Sequence, residues 1–101
     1  KDMIISGGEN IYPAEVETAL KTHPAVQDAS VVGIPNAEWG QQVGAVIVLR
    51  DNTNAETLAA FLREKLAGYK IPRRWLFTDA LPLTASGKIA RAEVLKLFDE
   101  R

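Results

Sequence analysis

The clearest chemical signal in the chain is Lys88 and the run that carries it, Pro82-Leu83-Thr84-Ala85-Ser86-Gly87-Lys88-Ile89-Ala90-Arg91. Pro82 opposes regular pairing and Ser86-Gly87 is turn chemistry, so the run predicts an irregular loop. From Ala90 onward Val94, Leu97 and Phe98 recur at helical spacing, so the loop hands over to a terminal helix. Lys88 then stands on a flexible loop at or just before a helix N-terminus, where the helix dipole disfavours a cation. The arrangement makes sense when an anion visits. Free backbone N–H groups, the dipole and an ammonium together suit a phosphate or a carboxylate. The other reading is a solvated loop lysine. The spacing approaches the phosphate-binding pattern Gly-x-x-x-x-Gly-Lys-Ser/Thr but departs from it at both ends. Pro82 replaces the first glycine, and Ile89 replaces the metal-binding hydroxyl. Nor does the run follow a strand in a βαβ unit, so the P-loop reading is rejected.

A second candidate lies near the start. Met3-Ile4-Ile5-Ser6 and Asn10-Ile11-Tyr12 flank Gly7-Gly8-Glu9, the pattern of a small hairpin. Two adjacent glycines leave bare backbone for a ligand to lie against. The same pair also serves as a plain hairpin turn, and both readings stand.

The elements that hold these loops follow from periodicity. Pro13 starts a helix where proline is best tolerated, Glu15 and Glu17 suit its first turns, and Val16, Ala19 and Leu20 form its apolar stripe. It ends near Thr22-His23 because Pro24 cannot continue it, which leaves His23 without a catalytic role. Val26 to Ile34 is valine-rich and reads as a strand, followed by a loop carrying Trp39. Val43 to Leu49 is almost continuously apolar, which predicts a strand covered on both faces. Thr53-Asn54-Ala55-Glu56 matches a capping box with Thr53 at the cap, opening a helix that closes at Gly68. Tyr69-Lys70-Ile71-Pro72-Arg73-Arg74 reads as a loop and Trp75-Leu76-Phe77 as a short strand. The order is hairpin, helix, strand, strand, helix, strand, loop, helix. This predicts an α+β fold: a small mixed sheet of about three strands packed by helices, with an N-terminal hairpin.

Length and composition bound the function. The 101 residues suggest one domain with a modest core. A net charge of -1 gives no electrostatic case for nucleic acid or acidic membranes. There is no cysteine, which removes disulfides and thiolate metal sites, and the single histidine makes no metal cluster by itself. No apolar run approaches a membrane span and no signal peptide opens the chain, which fits a cytoplasmic protein. The start at Lys1-Asp2-Met3 reads as a piece of a longer chain.

Two stretches together carry a family resemblance. Lys1 to Glu17, with Ser6-Gly7-Gly8-Glu9-Asn10-Ile11-Tyr12-Pro13 at its centre, closely resembles the start of the C-terminal domain of adenylate-forming enzymes. Pro82 to Arg91 resembles the last motif of that superfamily, Pro-x-x-x-x-Gly-Lys followed by an arginine. The superfamily contains acyl-CoA and aryl-CoA synthetases, adenylation domains of nonribosomal peptide synthetases, and firefly luciferases. The nearest resemblance is to CoA ligases for fatty or aromatic acids.

The resemblance implies a two-step, AMP-forming ligase. A carboxylate attacks the α-phosphate of ATP, giving an acyl-adenylate and pyrophosphate; the thiol of CoA then attacks the acyl carbon and AMP leaves. It implies that residues 1–101 are the mobile C-terminal domain, working with a large N-terminal adenylation domain that holds the acid pocket, the ATP phosphate loop and most of the Mg2+ ligation. Lys88 matches the adenylation lysine, Lys1 the hinge, and Gly7 and Gly8 the loop that enters the active site for thioester formation. Trp39, Tyr69, Lys70, Arg73 and Arg74 match loops near the CoA nucleotide, with stacking and phosphate pairing as their expected roles. They also read as structural aromatics and solvated cations. Lysines in this context are acetylation targets in related enzymes, and acetylation would remove the Lys88 charge. Alternatives are an adenylation domain feeding a carrier protein and a non-catalytic interaction module of the same fold.

Overall fold

Ile4–Ser6 (β1) and Glu9–Ile11 (β2) pair antiparallel across Gly7-Gly8, the expected hairpin. Both glycines have positive φ, +58° and +84°, the left-handed backbone that a two-residue hairpin turn demands. The computed structural model describes residues 2–99; Lys1, the expected hinge, lies outside them. Pro13–Lys21 (α1) begins at its proline and stops at Thr22, after which His23 packs edge-on to Phe61 with ring centroids 4.8 Å apart.

Val26–Asn36 (β3), Gly40–Leu49 (β4) and Arg74–Thr78 (β5) form one sheet in the order β3-β4-β5, antiparallel then parallel. Strand β4 is central, and its side chains alternate between two cores. Val43, Ala45 and Ile47 join Val16, Leu20, Leu58 and Leu62 on one face. Val46 and Val48 join Leu76, Leu81, Val94 and Phe98 on the other. This is why its sequence is apolar without alternation. Each fully buried leucine or isoleucine contributes about 1.5–3 kcal/mol, so most of the stability sits in these two layers. Gly44 leaves no room for a side chain against the second core: a Cβ there would stand 2.5 Å from Ile34 Cδ1 and 3.1 Å from Phe98.

Two boundaries differ from expectation. The helix after the β4 turn is Ala55–Arg63 (α2), and its cap is Asn54, whose Oδ1 accepts from Thr57 N–H at 2.8 Å. Thr53 is not the cap, because the chain enters helical geometry one residue later. The helix also stops before Gly68: Gly68–Lys70 forms a separate 3-10 turn, anchored by buried Ile71. The last helix, Arg91–Asp99 (α3), covers the second face through Val94 and Phe98. The observed fold is therefore the predicted α+β arrangement, with α1, α2 and the hairpin on one face and α3 on the other.

Candidate functional site

The loop preceding α3 is more ordered than expected. Leu83 pairs with Ile89 as an isolated bridge, so pairing survives Pro82. Thr84 N–H donates to the Lys88 carbonyl at 2.6 Å, Gly87 N–H to the Thr84 carbonyl at 2.9 Å, and Ala90 N–H to the Pro82 carbonyl at 2.9 Å. The Thr84 hydroxyl accepts from Lys88 N–H at 3.2 Å and lies 3.0 Å from the Ser86 hydroxyl. Gly87, with φ +89°, makes the reversal. Lys88 is exposed at the edge of this closed turn, three residues before α3. Among the described residues no hydrogen bond or ion pair engages its ammonium, so the charge faces outward, available to an anion.

The glycine hairpin forms a second locus. Gly7 N–H donates to the Trp39 carbonyl at 3.0 Å, and Ile5 N–H to Gln41 Oε1 at 2.9 Å, so the hairpin leans on the β3–β4 turn. That turn is shaped by Asn36, whose Oδ1 accepts from Glu38 N–H and Trp39 N–H, both at 2.9 Å. The Arg73 guanidinium stacks on the Trp39 ring at 3.9 Å, and Arg73 N–H donates to the Val43 carbonyl at 2.9 Å. Ser6, Gly7, Glu9, Trp39, Tyr69 and Arg73 together line an open cleft of about 220 Å³. One aromatic ring (Tyr69) is exposed, one (Trp39) is already stacked, and one arginine and one glutamate share the lining.

Of the five loop residues expected together, the structure gathers three: Trp39, Tyr69 and Arg73. Lys70 borders the same turn but is engaged elsewhere. Its ammonium is 2.9 Å from Glu15 Oε1 on α1, and the hydrogen bond to Glu15 is the main cause lifting its pKa above the ordinary 10.5. Arg74 is not brought there. It lies in β5 opposite Gly44, with its guanidinium 5.4 Å from the Phe98 ring on the α3 side. Lys88 belongs to the α3 side as well, so the two candidate loci hang from different elements.

A third cluster was not foreseen. Arg91 opens α3 and reaches around the free edge of β3. Its Nη1 and Nη2 donate to Glu17 Oε2 and Oε1 at 2.9 and 3.2 Å, and Nη1 also donates to the Val31 carbonyl at 3.0 Å. Glu17, only 8% exposed, accepts in turn from Val31 N–H at 2.8 Å. Nε of Arg91 pairs with Asp2 at 2.9 Å. The hydrogen bond to Glu17, then Glu17 and Asp2 charges, push the arginine's pKa further up. The available signal was helical periodicity: Pro13, Val16, Glu17 and Leu20 share one face, and a carboxylate on a buried stripe must find a partner. Among the described residues no group of three or more histidine, aspartate or glutamate side chains gathers as a metal site.

Comparison with known proteins places this geometry. Residues 15–88 match the model of the AMP-binding enzyme C-terminal domain. A feruloyl-CoA synthase from an Amycolatopsis species is 52% identical over 100 residues, covering 97% of this chain and 20% of its own length. A Mycobacterium tuberculosis fatty acyl CoA synthetase superposes with TM-score 0.92 at 35% identity, covering 98% of this chain and 20% of that one. An o-succinylbenzoate CoA synthetase from Bacillus subtilis, solved with its acyl-adenylate intermediate, superposes with TM-score 0.88 at 47% identity, covering 92% and 19%. The chain thus spans about a fifth of the length of these relatives. With the fold matched nearly end to end and the family model spanning the sheet and running to Lys88, the chain belongs to the AMP-binding enzyme C-terminal domain family.

Proposed function

We propose that this chain is the mobile C-terminal domain of an AMP-forming acid–CoA ligase acting on a fatty or aromatic carboxylic acid. The observation that carries the reading is the likeness to acid–CoA ligases over nearly the whole chain, at up to 52% identity. ATP and CoA are then substrates, and Mg2+ enters with ATP, held mainly by the N-terminal adenylation domain, the principal partner. The acid pocket belongs to that domain too. The setting is cytoplasmic. Among the described residues no helix is long and apolar enough to cross a membrane.

In this reading Lys88 places its ammonium between the carboxylate of the acid and the α-phosphate of ATP. It holds two anions in line and stabilises the charge that builds on phosphorus. Two features support this: the ammonium has no partner among the described residues, and the closed Thr84–Lys88 turn limits how far it wanders. The domain then rotates about Lys1 and offers the Gly7-Gly8 loop instead. The pantetheine arm passes along bare glycine backbone, while Tyr69 and the Arg73–Trp39 stack meet the CoA nucleotide. Lys70 contributes by holding the Tyr69 turn to α1 through Glu15, and Arg74 has no direct part.

The test joins residues 1–101 to the N-terminal portion of a relative such as the feruloyl-CoA synthase and follows two reactions over a panel of acids. ATP–pyrophosphate exchange reports adenylation; CoA-dependent AMP release reports the second step. Lys88→Ala should lower exchange by about 10²–10³-fold, the usual cost of losing a preorganised charge, and leave thioester formation from supplied acyl-adenylate much less affected. Equal losses in both steps would refute the division of labour. Exchange without use of CoA would turn the reading toward a carrier-protein thiol, and a folded protein inactive in both toward an interaction module. Full exchange with Lys88 acetylated would dispose of acetylation as a control on this step.

A further inference from the structure

We infer that Arg91 is a positioning residue: through the first turn of α3 it clamps the Lys88 turn to the edge of β3 and to Asp2. The inference rests on the adenylation role proposed for Lys88. Arg91 sits at the first position of α3, the end of a helix where the dipole disfavours a cation. What offsets this is an almost complete use of its planar fork. Two nitrogens chelate Glu17, one of them also reaches the Val31 carbonyl, and Nε meets Asp2. A lysine carries the charge but cannot reproduce that geometry.

The consequence for Lys88 is mechanical. The turn from Leu83 to Ile89 is closed by its own hydrogen bonds, so it moves as a unit. Within the turn, Ile89 rests half-buried against the second core, and the turn joins the rest of the domain at its two ends. On one side is Leu81, buried in the second core; on the other is the start of α3. Helix α3 buries Val94 and Phe98, both beyond its first turn. Its N-terminal end, three residues from Lys88, is therefore set in depth by Ile89 and Val94 and fixed laterally, against the edge of β3, by the Arg91 fork. One arm of that fork grips Asp2, an exposed residue immediately after the proposed hinge. The lysine turn and the hinge side of the domain are thus held by one guanidinium.

The test uses the full chain carrying this domain, with Arg91→Lys and Asp2→Asn. Both keep the buried Glu17 facing a cation, so both should fold. Amide hydrogen exchange across residues 84–90, above all at Ala90, should rise about tenfold in Arg91→Lys and less in Asp2→Asn. In the same order, kcat for ATP–pyrophosphate exchange should fall, about tenfold for Arg91→Lys, with KM for ATP within about twofold; a small misplacement of a reacting group is expected to cost this much. Thioester formation from supplied acyl-adenylate should stay within about twofold. Unchanged amide exchange in both variants overturns the clamp. Faster amide exchange with unaltered adenylation, or with both half-reactions falling together, overturns its role in placing Lys88. Should Lys88→Ala leave adenylation intact, the catalytic reading fails, and the amide exchange still decides whether the clamp exists.

Discussion

Glu17 is the charged residue whose removal the fold should feel most, since it is the buried one among those described. Its carboxylate holds Val31 N–H and two nitrogens of Arg91 in a site that is nearly closed to water. Glu17→Ala leaves a backbone donor and part of a guanidinium unpartnered, and should cost about 2–3 kcal/mol. Chemical denaturation of the domain measures it; Asp2→Ala, whose side chain is 66% exposed, should cost under about 1 kcal/mol. Gly8 has the opposite profile. A Cβ there meets nothing within 4 Å, so Gly8→Ala pays only for φ +84°, about 1–2 kcal/mol. Its expected functional cost lies in the CoA step, with ATP–pyrophosphate exchange nearly intact; loss of exchange instead would count against the thioester-loop role. At this scale the setting of Lys88, exposed on a turn before a helix, and of the glycine pair, in a hairpin turn, was legible from residue type and spacing. The Arg91 cluster was not, because Arg91 lies 74 positions from Glu17 and farther still from Asp2, and they meet only when two helices close around one strand.

Among the elements, α2 offers the cleanest check of a corrected boundary. Asn54→Ala removes the Oδ1 that accepts from Thr57 N–H and should destabilise the domain by about 1 kcal/mol, whereas Thr53→Ala should change little. The reverse order in thermal unfolding would restore Thr53 as the cap. Both residue types cap well, and only the backbone geometry at Asn54 selects between them, which a residue string does not contain. The three sheet strands were legible for a simple reason: β4 is buried on both faces from Val43 to Val48, and Pro24 and Pro72 stand just before β3 and β5. The tight Leu83–Ile89 turn was not, since Pro82 spoke against pairing and a lone bridge has no periodic signature. The same limit applied to the loop residues between Trp39 and Arg74. Proximity to one another was expected for five of them, but the alternation of β5 sends Arg74 to the face opposite the cleft.

For the molecule as a whole, the α+β architecture was readable because each element announces itself with a cap, a proline or a period. Placement of the two candidate loci on separate elements required the topology. The central position of β4 carries a thermodynamic corollary. One strand supplies wall to both hydrophobic layers, so neither layer has an independent frame to survive on. The domain should therefore melt as a single cooperative unit, with far-ultraviolet circular dichroism and the fluorescence of Trp39 and Trp75 tracing superimposable denaturation curves. Separated curves would mean that α3 and its core detach first. If the curves coincide, the face that supports the lysine turn has no unfolding transition of its own, and the turn rides on a body that holds or fails as a whole.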